Sequence, residues 1–212
     1  MSQYQDQLRD ISELRSMMEQ STKFVSLSGL SGVSAGVVAL VGAWVASTYL
    51  TGTGLFRGIK FLFDGGYYVP ARDLLLEAVL LGMAILVVAV LSASFFSIRM
   101  ARKKGLPVWN KVSRRLLINL AIPLLAGAIF CVQLAYYGFI GMIAPATLIF
   151  YGLALLNAGK YTLREIRYLG ITEIGLGLLG SFFVGYGIIF WALGFGVFHI
   201  LYGIVMYVKY ER

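Results

Sequence analysis

Three ionisable side chains lie within the long apolar stretches of this 212-residue sequence, and they are its best candidates for chemistry. Glu77 lies about one turn into the second stretch, Glu173 near the start of the fifth, and His199, the only histidine, near the middle of the sixth. Because a charge inside a bilayer is costly, each such residue is by default a candidate for function. Their outer, inner and middle depths permit a proton route, provided that all three side chains line one pore.

His199 shares a helix face with Gly196 and Gly203, which lie three residues before it and four after it. A neighbouring helix must therefore approach closely, and an imidazole can form a hydrogen bond across such a contact. Histidine as a residue type also titrates close to neutral pH, so His199 is a candidate proton relay as well. Haem ligation is a third interpretation, limited to one axial ligand because the chain has no second histidine.

Both glutamates also have a structural interpretation, in which each forms an ion pair near a membrane boundary. Glu77 can pair with Arg72, which precedes it at the outer end of the second stretch. Glu173 follows Arg164 and Arg167 by one or two helical turns, which favours a local ion pair at the inner surface.

Motifs for enzyme chemistry are missing from the sequence. It contains no HExxH, no P-loop, no dinucleotide-binding GxGxxG between a strand and a helix, and no histidine or aspartate set for a serine nucleophile. Cys131 is the single cysteine, so neither an intrachain disulfide nor a cysteine-based metal site can form. We therefore predict a protein that is not an enzyme and that holds no metal and no cofactor.

The composition predicts an all-α, polytopic transmembrane helical bundle. Hydrophobic residues make up 59% of the chain and charged residues only 13%, whereas soluble domains average about 25% charged residues. A membrane-spanning helix needs roughly 20 apolar residues. Six stretches meet that length, at residues 29–50, 74–98, 116–136, 139–157, 171–188 and 190–208. Pro123 and Pro145 predict a kink in the third and fourth spans.

Basic residues predict the orientation of these six spans. Of the 18 Lys and Arg residues, only Arg57, Lys60 and Arg72 fall in the gaps on one side. Short loops rich in Lys and Arg stay in the cytoplasm, so we predict that both termini are cytoplasmic and that the membrane is the inner membrane. Residues 1–28 form a separate segment whose amphipathic helix is either cytoplasmic, packed on another helix, or interfacial, flat on the cytoplasmic leaflet. Residues 29–212 form the transmembrane domain.

The second gap holds the densest group of basic residues. The chain has a net charge of +8, and its basic residues lie at the predicted edges of the membrane. This placement indicates contact with the bilayer rather than with nucleic acid. The loop is a candidate site for anionic lipid headgroups or an acidic partner, although enforcing the topology would by itself explain its charge. Its candidate residues are Arg102, Lys103, Lys104, Lys111, Arg114 and Arg115.

Small residues recur at three- and four-residue spacing along the first span, which indicates close helix packing. The candidate packing residues are Gly29, Gly32, Gly36, Ala39 and Ala43, together with Gly196 and Gly203 in the sixth span. The spacing favours a partner helix in the same chain but leaves a second chain open. Gly185 to Gly187 are predicted to form the turn between the last two spans.

Taken together, these patterns predict a non-enzymatic membrane protein that acts through helix-mediated assembly. It would be a homo-oligomer or an accessory or regulatory subunit of another membrane protein. The alternative is a small channel or transporter with a polar route that involves Glu77 and His199.

Two segments, KFVSLSGLSGVSAG at 23–36 and LREIRYLGITEIGLGLLG at 163–180, resemble segments of uncharacterised small bacterial six-span inner-membrane proteins. The resemblance implies a bacterial, multi-span membrane protein over most of the chain. It implies no known activity and no catalytic residue.

Overall fold

The computed structural model describes residues 27–51 and 75–212, together with Gln5 alone in the N-terminal segment. Within these residues every regular element is helical and no strand occurs, which confirms the all-α class. The predicted amphipathic helix in residues 1–28 lies almost entirely outside the described residues. The main helices are α1 (Gly29–Thr51), α2 (Leu75–Lys103), α3 (Lys111–Tyr136), α4 (Ile143–Ala158), α5 (Arg164–Phe182) and α6 (Gly187–Tyr210).

Five of these helices, all except α5, are long and apolar enough to cross a membrane; for α4 this length includes the 3₁₀ turns that extend it to Ile140–Tyr161. Helix α5 has 19 residues and begins with the charged residues Arg164 and Glu165. The predicted fifth span, 171–188, is therefore wrong in its boundaries, because the helix begins and ends earlier than the apolar stretch. In the first turn of α5, Glu165 is buried and accepts hydrogen bonds from Lys209 and Tyr210 of α6, so the helix extends beyond the limits that hydropathy indicates.

Two glycines with positive φ lie in the turns that follow α3 and α5. Gly138 follows α3 with a φ of 81°, and Gly185 lies between α5 and α6 with a φ of 107°. Both values fall in the region that side chains with a Cβ avoid. The predicted turn at Gly185 is confirmed, and α6 starts two residues later, at Gly187.

Pro145 and Pro123 lie at different positions in their helices and therefore affect them differently. Pro145 is the third residue of α4, where no helical N–H is needed, so the kink predicted there is wrong. Pro123 lies inside α3 and cannot donate to the carbonyl of Asn119, four residues earlier. That carbonyl instead accepts a hydrogen bond of 3.0 Å from Asn157 Nδ2 on α4, which is how membrane helices tolerate an internal proline.

Helices α1 and α6 pack backbone to backbone along the predicted glycine face. A Cβ added to Gly32 would lie 3.1 Å from the Cα of Gly203, and a Cβ on Gly29 or Gly36 would collide with the backbone of α6. Ala39 and Ala43 continue the face and are buried. The prediction that these small residues pack within the same chain is confirmed.

Helices α4 and α5 form a second close pair, in which Gly152 and Gly170 face each other's carbonyl oxygens. At one end of this pair a buried apolar cluster joins α4, α5 and α6, and it includes Leu155, Leu169 and Met206. Helix α2 packs mainly against α1 and leaves most of its apolar side chains exposed.

Candidate functional site

Helices α4, α5 and α6 bring three polar side chains together between their apolar surfaces. Tyr151 comes from the middle of α4, Glu173 from the middle of α5 and His199 from the middle of α6. His199 follows directly on a π-helical stretch, Ala192–Phe198, that interrupts α6. π-Helical turns within α-helices are frequent at functional sites. We refer to Tyr151, Glu173 and His199 as the mid-helix cluster.

The imidazole of His199 is buried and contacts a partner through each nitrogen. Its Nε2 lies 2.8 Å from Tyr151 Oη, and its Nδ1 lies 3.0 Å from the carbonyl oxygen of Gly194. A carbonyl can only accept, so Nδ1 carries the proton. In the neutral imidazole Nε2 then accepts from the tyrosine hydroxyl, whereas in the charged form it would donate to that oxygen. The predicted interhelical hydrogen bond of His199 is thus confirmed.

Unlike the imidazole, the carboxylate of Glu173 lacks hydrogen-bond partners in the described structure. Its side chain is 0% exposed, and among the described residues neither of its oxygens has a hydrogen-bond partner. Oε1 lies 3.3 Å from His199 Nδ1, whose proton already points to the Gly194 carbonyl. Buried polar atoms are nearly always hydrogen-bonded, and each exception needs an explanation. Glu173 is such an exception.

Gly194 provides the space in which the carboxylate lies. A Cβ on this residue would collide with Glu173 Oε2 and with the side chain of Leu148, which is fully buried. The ring of Phe195 covers the other side of the site, with its centroid 4.9 Å from that of Tyr151 and 5.9 Å from that of His199. Leu148 of α4 and Phe195 of α6 thus place apolar surface beside the cluster.

This arrangement is suited to holding a proton. With one proton shared between Glu173 and His199 the pair is neutral overall, either as two neutral groups or as a carboxylate beside an imidazolium. Adding or removing a proton leaves a net charge in an apolar environment, which costs free energy unless the surroundings change. Gain or loss of a proton by either group would therefore place a net charge between the packed apolar side chains.

The three predicted polar residues do not form the route that their depths suggested. Glu173 was expected near the inner end of a span, paired with Arg164 or Arg167, and both expectations are wrong. Since α5 begins at Arg164, Glu173 lies mid-helix, level with His199 and in contact with it. Glu77 is exposed in the first turn of α2, apart from the cluster. Its predicted partner, Arg72, lies outside the described residues.

The sequence patterns did not identify Tyr151 as a candidate site residue. Tyrosine is common at the ends of membrane spans, where its hydroxyl meets water, and this chain has 13 tyrosines. The signal that could have singled it out is its position at the middle of an apolar stretch, where its hydroxyl needs a polar partner on another helix.

The end of the bundle at which α6 terminates carries a second polar group, which we call the terminal clamp. Glu165 accepts a hydrogen bond of 2.6 Å from Lys209 and bonds of 3.1 and 3.0 Å from Tyr210 Oη. Burial raises the pKa of Glu165, but these hydrogen bonds outweigh it and hold the pKa below its ordinary value. Glu211 accepts from the Ser28 hydroxyl and from the Gly29 backbone N–H, and so caps α1.

The candidate residues of the basic loop are all exposed, and none of them pairs with a carboxylate in the described part of the chain. They lie in the last turn of α2, the turn after it and the first turns of α3. A capping box between Asn110 and Ser113 starts α3 directly after the loop. Over the described ranges, no group of three or more His, Cys, Asp or Glu side chains could hold a metal ion.

Comparison with known protein families, with curated proteins and with solved structures found no match. The resemblance to small bacterial inner-membrane proteins therefore stays a prediction.

Proposed function

We propose that this chain is an integral membrane transport protein that binds and passes a proton at the mid-helix cluster. The observation that carries the proposal is Glu173, which is fully buried and lacks hydrogen-bond partners in the described structure, yet lies 3.3 Å from a buried histidine. Ionisable residues at the middle of membrane helices mark proton relays and ion pathways more often than structural contacts. The proposal keeps His199 from the sequence-based alternative and replaces Glu77 with Glu173.

The break in α6 supports a transport role. Transporters place their coupling sites beside interrupted helices near the membrane midplane, and the π-helical stretch Ala192–Phe198 ends at His199. A change in the protonation of the Glu173–His199 pair would alter the charge next to this stretch. Gly194 and Gly196 lie within it and are buried, so a shift of the π-helical turn would directly change the space around the carboxylate.

Proton flux into liposomes tests the proposal. Purified protein is reconstituted, a potassium diffusion potential is imposed with valinomycin, and an internal pH-sensitive dye reports proton entry. We expect flux from the wild type and a loss of at least tenfold in Glu173→Gln, which keeps the shape of the side chain but cannot release a proton. The matched control is Glu77→Gln, because Glu77 is exposed and apart from the cluster.

Two outcomes would contradict the proposal. One is wild-type protein that moves no protons under either sign of potential, with or without common small solutes. The other is a flux that Glu77→Gln removes and Glu173→Gln leaves intact. Fusion of a topology reporter to each terminus tests the accompanying proposal that both ends are cytoplasmic, in the inner membrane.

Helix-mediated assembly is the second candidate, and α2 is the observation that favours it. This helix packs mainly against α1, and side chains such as Leu80 and Leu91 are 61% and 64% exposed. The glycine face of α1, however, is fully used within the chain, which removes the strongest sequence argument for assembly. Native mass spectrometry in mild detergent tests self-association, and a strict monomer over a wide concentration range would rule against a homo-oligomer.

A further inference from the structure

A groove runs between α3 and α4 on the outside of the bundle, away from the mid-helix cluster. It has a volume of about 400 Å³, its walls are apolar, and its polar residues gather at one end. The residues that line it are Pro123, Phe150, Leu153, Leu156, Asn157 and Lys160.

Two contacts between α3 and α4 define the length of the groove. At one end the helices meet at Gly127, where a Cβ would collide with the ring of Phe150. At the other end Asn157 bonds to the Asn119 carbonyl that Pro123 leaves free. Between these contacts the proline ring and two leucines line an apolar slot. The groove is therefore bounded at both ends by contacts within the helix pair, one of which is the hydrogen bond to the carbonyl that Pro123 leaves free.

Its polar end is positively charged. Lys160 is exposed, and its only described partner is the neutral Asn157 amide, at 3.3 Å. The short turn that carries Lys160 contacts α3. On α3, Arg115 lies one helical turn before Asn119 and Lys111 one turn before Arg115, so both lie beyond the charged end of the groove along the helix. In the part of the chain that the structure describes, no carboxylate pairs with any of these cations.

An apolar slot that ends in unpaired cations has the chemistry of one ligand class. We propose that the groove binds a single anionic phospholipid, with an acyl chain along Pro123, Leu153 and Leu156 and the phosphate at Lys160. Lys111 and Arg115 would add to the attraction, as basic residues at a membrane surface do for anionic headgroups. A soluble anion would gain nothing from the apolar slot, and a zwitterionic lipid would gain little from the three cations. The proposal is independent of the proton site.

Lipid titration in native mass spectrometry tests the binding. The protein is released from mild detergent with added phosphatidylglycerol or, in parallel, phosphatidylcholine of the same acyl chains. We expect the first phosphatidylglycerol to bind more tightly than phosphatidylcholine, and Lys160→Gln to weaken it about fivefold, as the loss of one surface cation predicts. The matched control is Arg212→Gln, which removes an exposed cation from the chain terminus; we expect less than a twofold change.

Acyl-chain contacts give a second, independent measurement. Phosphatidylglycerol with a photoreactive group in one acyl chain is crosslinked in liposomes, and the labelled residues are identified by peptide sequencing. We expect labelling at Leu153 and Leu156 to exceed that at the exposed Leu80 and Leu91 of α2 several-fold. Even labelling of all four, equal binding of both lipids, or equal effects of Lys160→Gln and Arg212→Gln would overturn the proposal. Displacement by inorganic phosphate alone would identify a phosphate site instead.

Discussion

Helix α5 carries two buried glutamates, eight residues apart, with opposite surroundings. Glu165 lies in the terminal clamp, where Lys209 and Tyr210 satisfy its oxygens. Glu173 lies in the mid-helix cluster, where no described group donates to either of its oxygens. The same side chain on the same helix is thus a structural contact at one position and an unsatisfied charge or acid at the other.

This difference in hydrogen bonding indicates that the two glutamates have different roles. A buried group that only stabilises the fold gains from having every polar atom paired, as Glu165 does. A buried carboxyl without partners destabilises the fold, and an apolar or amide side chain would serve packing better. The proposed proton site would give Glu173 a task that requires an acid, and the following changes test that distinction.

Gly194→Ala should have the largest effect, because its Cβ collides with Glu173 Oε2 and Leu148. We expect a loss of about 1–3 kcal/mol in the free energy of unfolding, the usual cost of overpacking a core, and a loss of proton flux. Unfolding by sodium dodecyl sulfate in mixed micelles, followed by circular dichroism, measures it. Gly175→Ala on α5 is the control, since nothing lies within 4 Å of its added Cβ. Equal destabilisation of both variants would contradict the packing argument.

Amide substitution should separate the two glutamates. Glu165→Gln should lower the free energy of unfolding by about 1 kcal/mol, because the amide weakens hydrogen bonds to a charged acceptor. Glu173→Gln should leave the free energy unchanged or raise it, since it removes a buried acid that lacks partners. The same micelle titration measures both variants. If Glu173→Gln proves the more destabilising of the two, Glu173 is a structural residue.

Tyr151→Phe should have a smaller effect on stability and a clear effect on proton flux. It removes the 2.8 Å contact with His199 Nε2 while keeping the ring against Phe195. We expect a cost of about 0.5–1.5 kcal/mol, the net value of one neutral hydrogen bond. Proton flux should fall, because Tyr151 contacts the imidazole directly. Flux equal to that of the wild type would remove Tyr151 from the proposed proton site.

Acid should weaken the terminal clamp, which is the smallest expected effect. Hydrogen bonds hold the pKa of Glu165 below its ordinary value of 4.5, against the opposing effect of burial. A lowered pKa in the folded state contributes stability above the ordinary pKa, and that contribution is lost as pH falls through the lowered value. The stability difference between wild type and Glu165→Gln should therefore be constant from pH 7 to 5 and shrink below pH 4.5. A difference that grows towards acid pH would contradict this assignment.

Local patterns in the sequence predicted much of the fold. Apolar stretches predicted the helices, because a helix that crosses a bilayer needs about 20 consecutive, mostly apolar residues. The spacing of Gly29, Gly32 and Gly36 predicted a close helix contact, since only a face without side chains allows backbones to meet. Gly185 marked a turn through its backbone freedom. Each of these signals lies within one continuous segment of the sequence and needs no knowledge of which helices meet.

The candidate site depended on tertiary structure. His199 and Tyr151 are 48 residues apart, and Glu173 lies on a third helix whose start the hydropathy pattern placed too late. Which faces of α4, α5 and α6 meet follows from the close packing at Gly152, Gly170 and Gly194, and no local pattern specifies it. Local sequence patterns were enough to predict that these helices form and that their few ionisable residues are costly. Which of those residues touch depends on the packed bundle, because the rotation and depth of each helix are set by its neighbours.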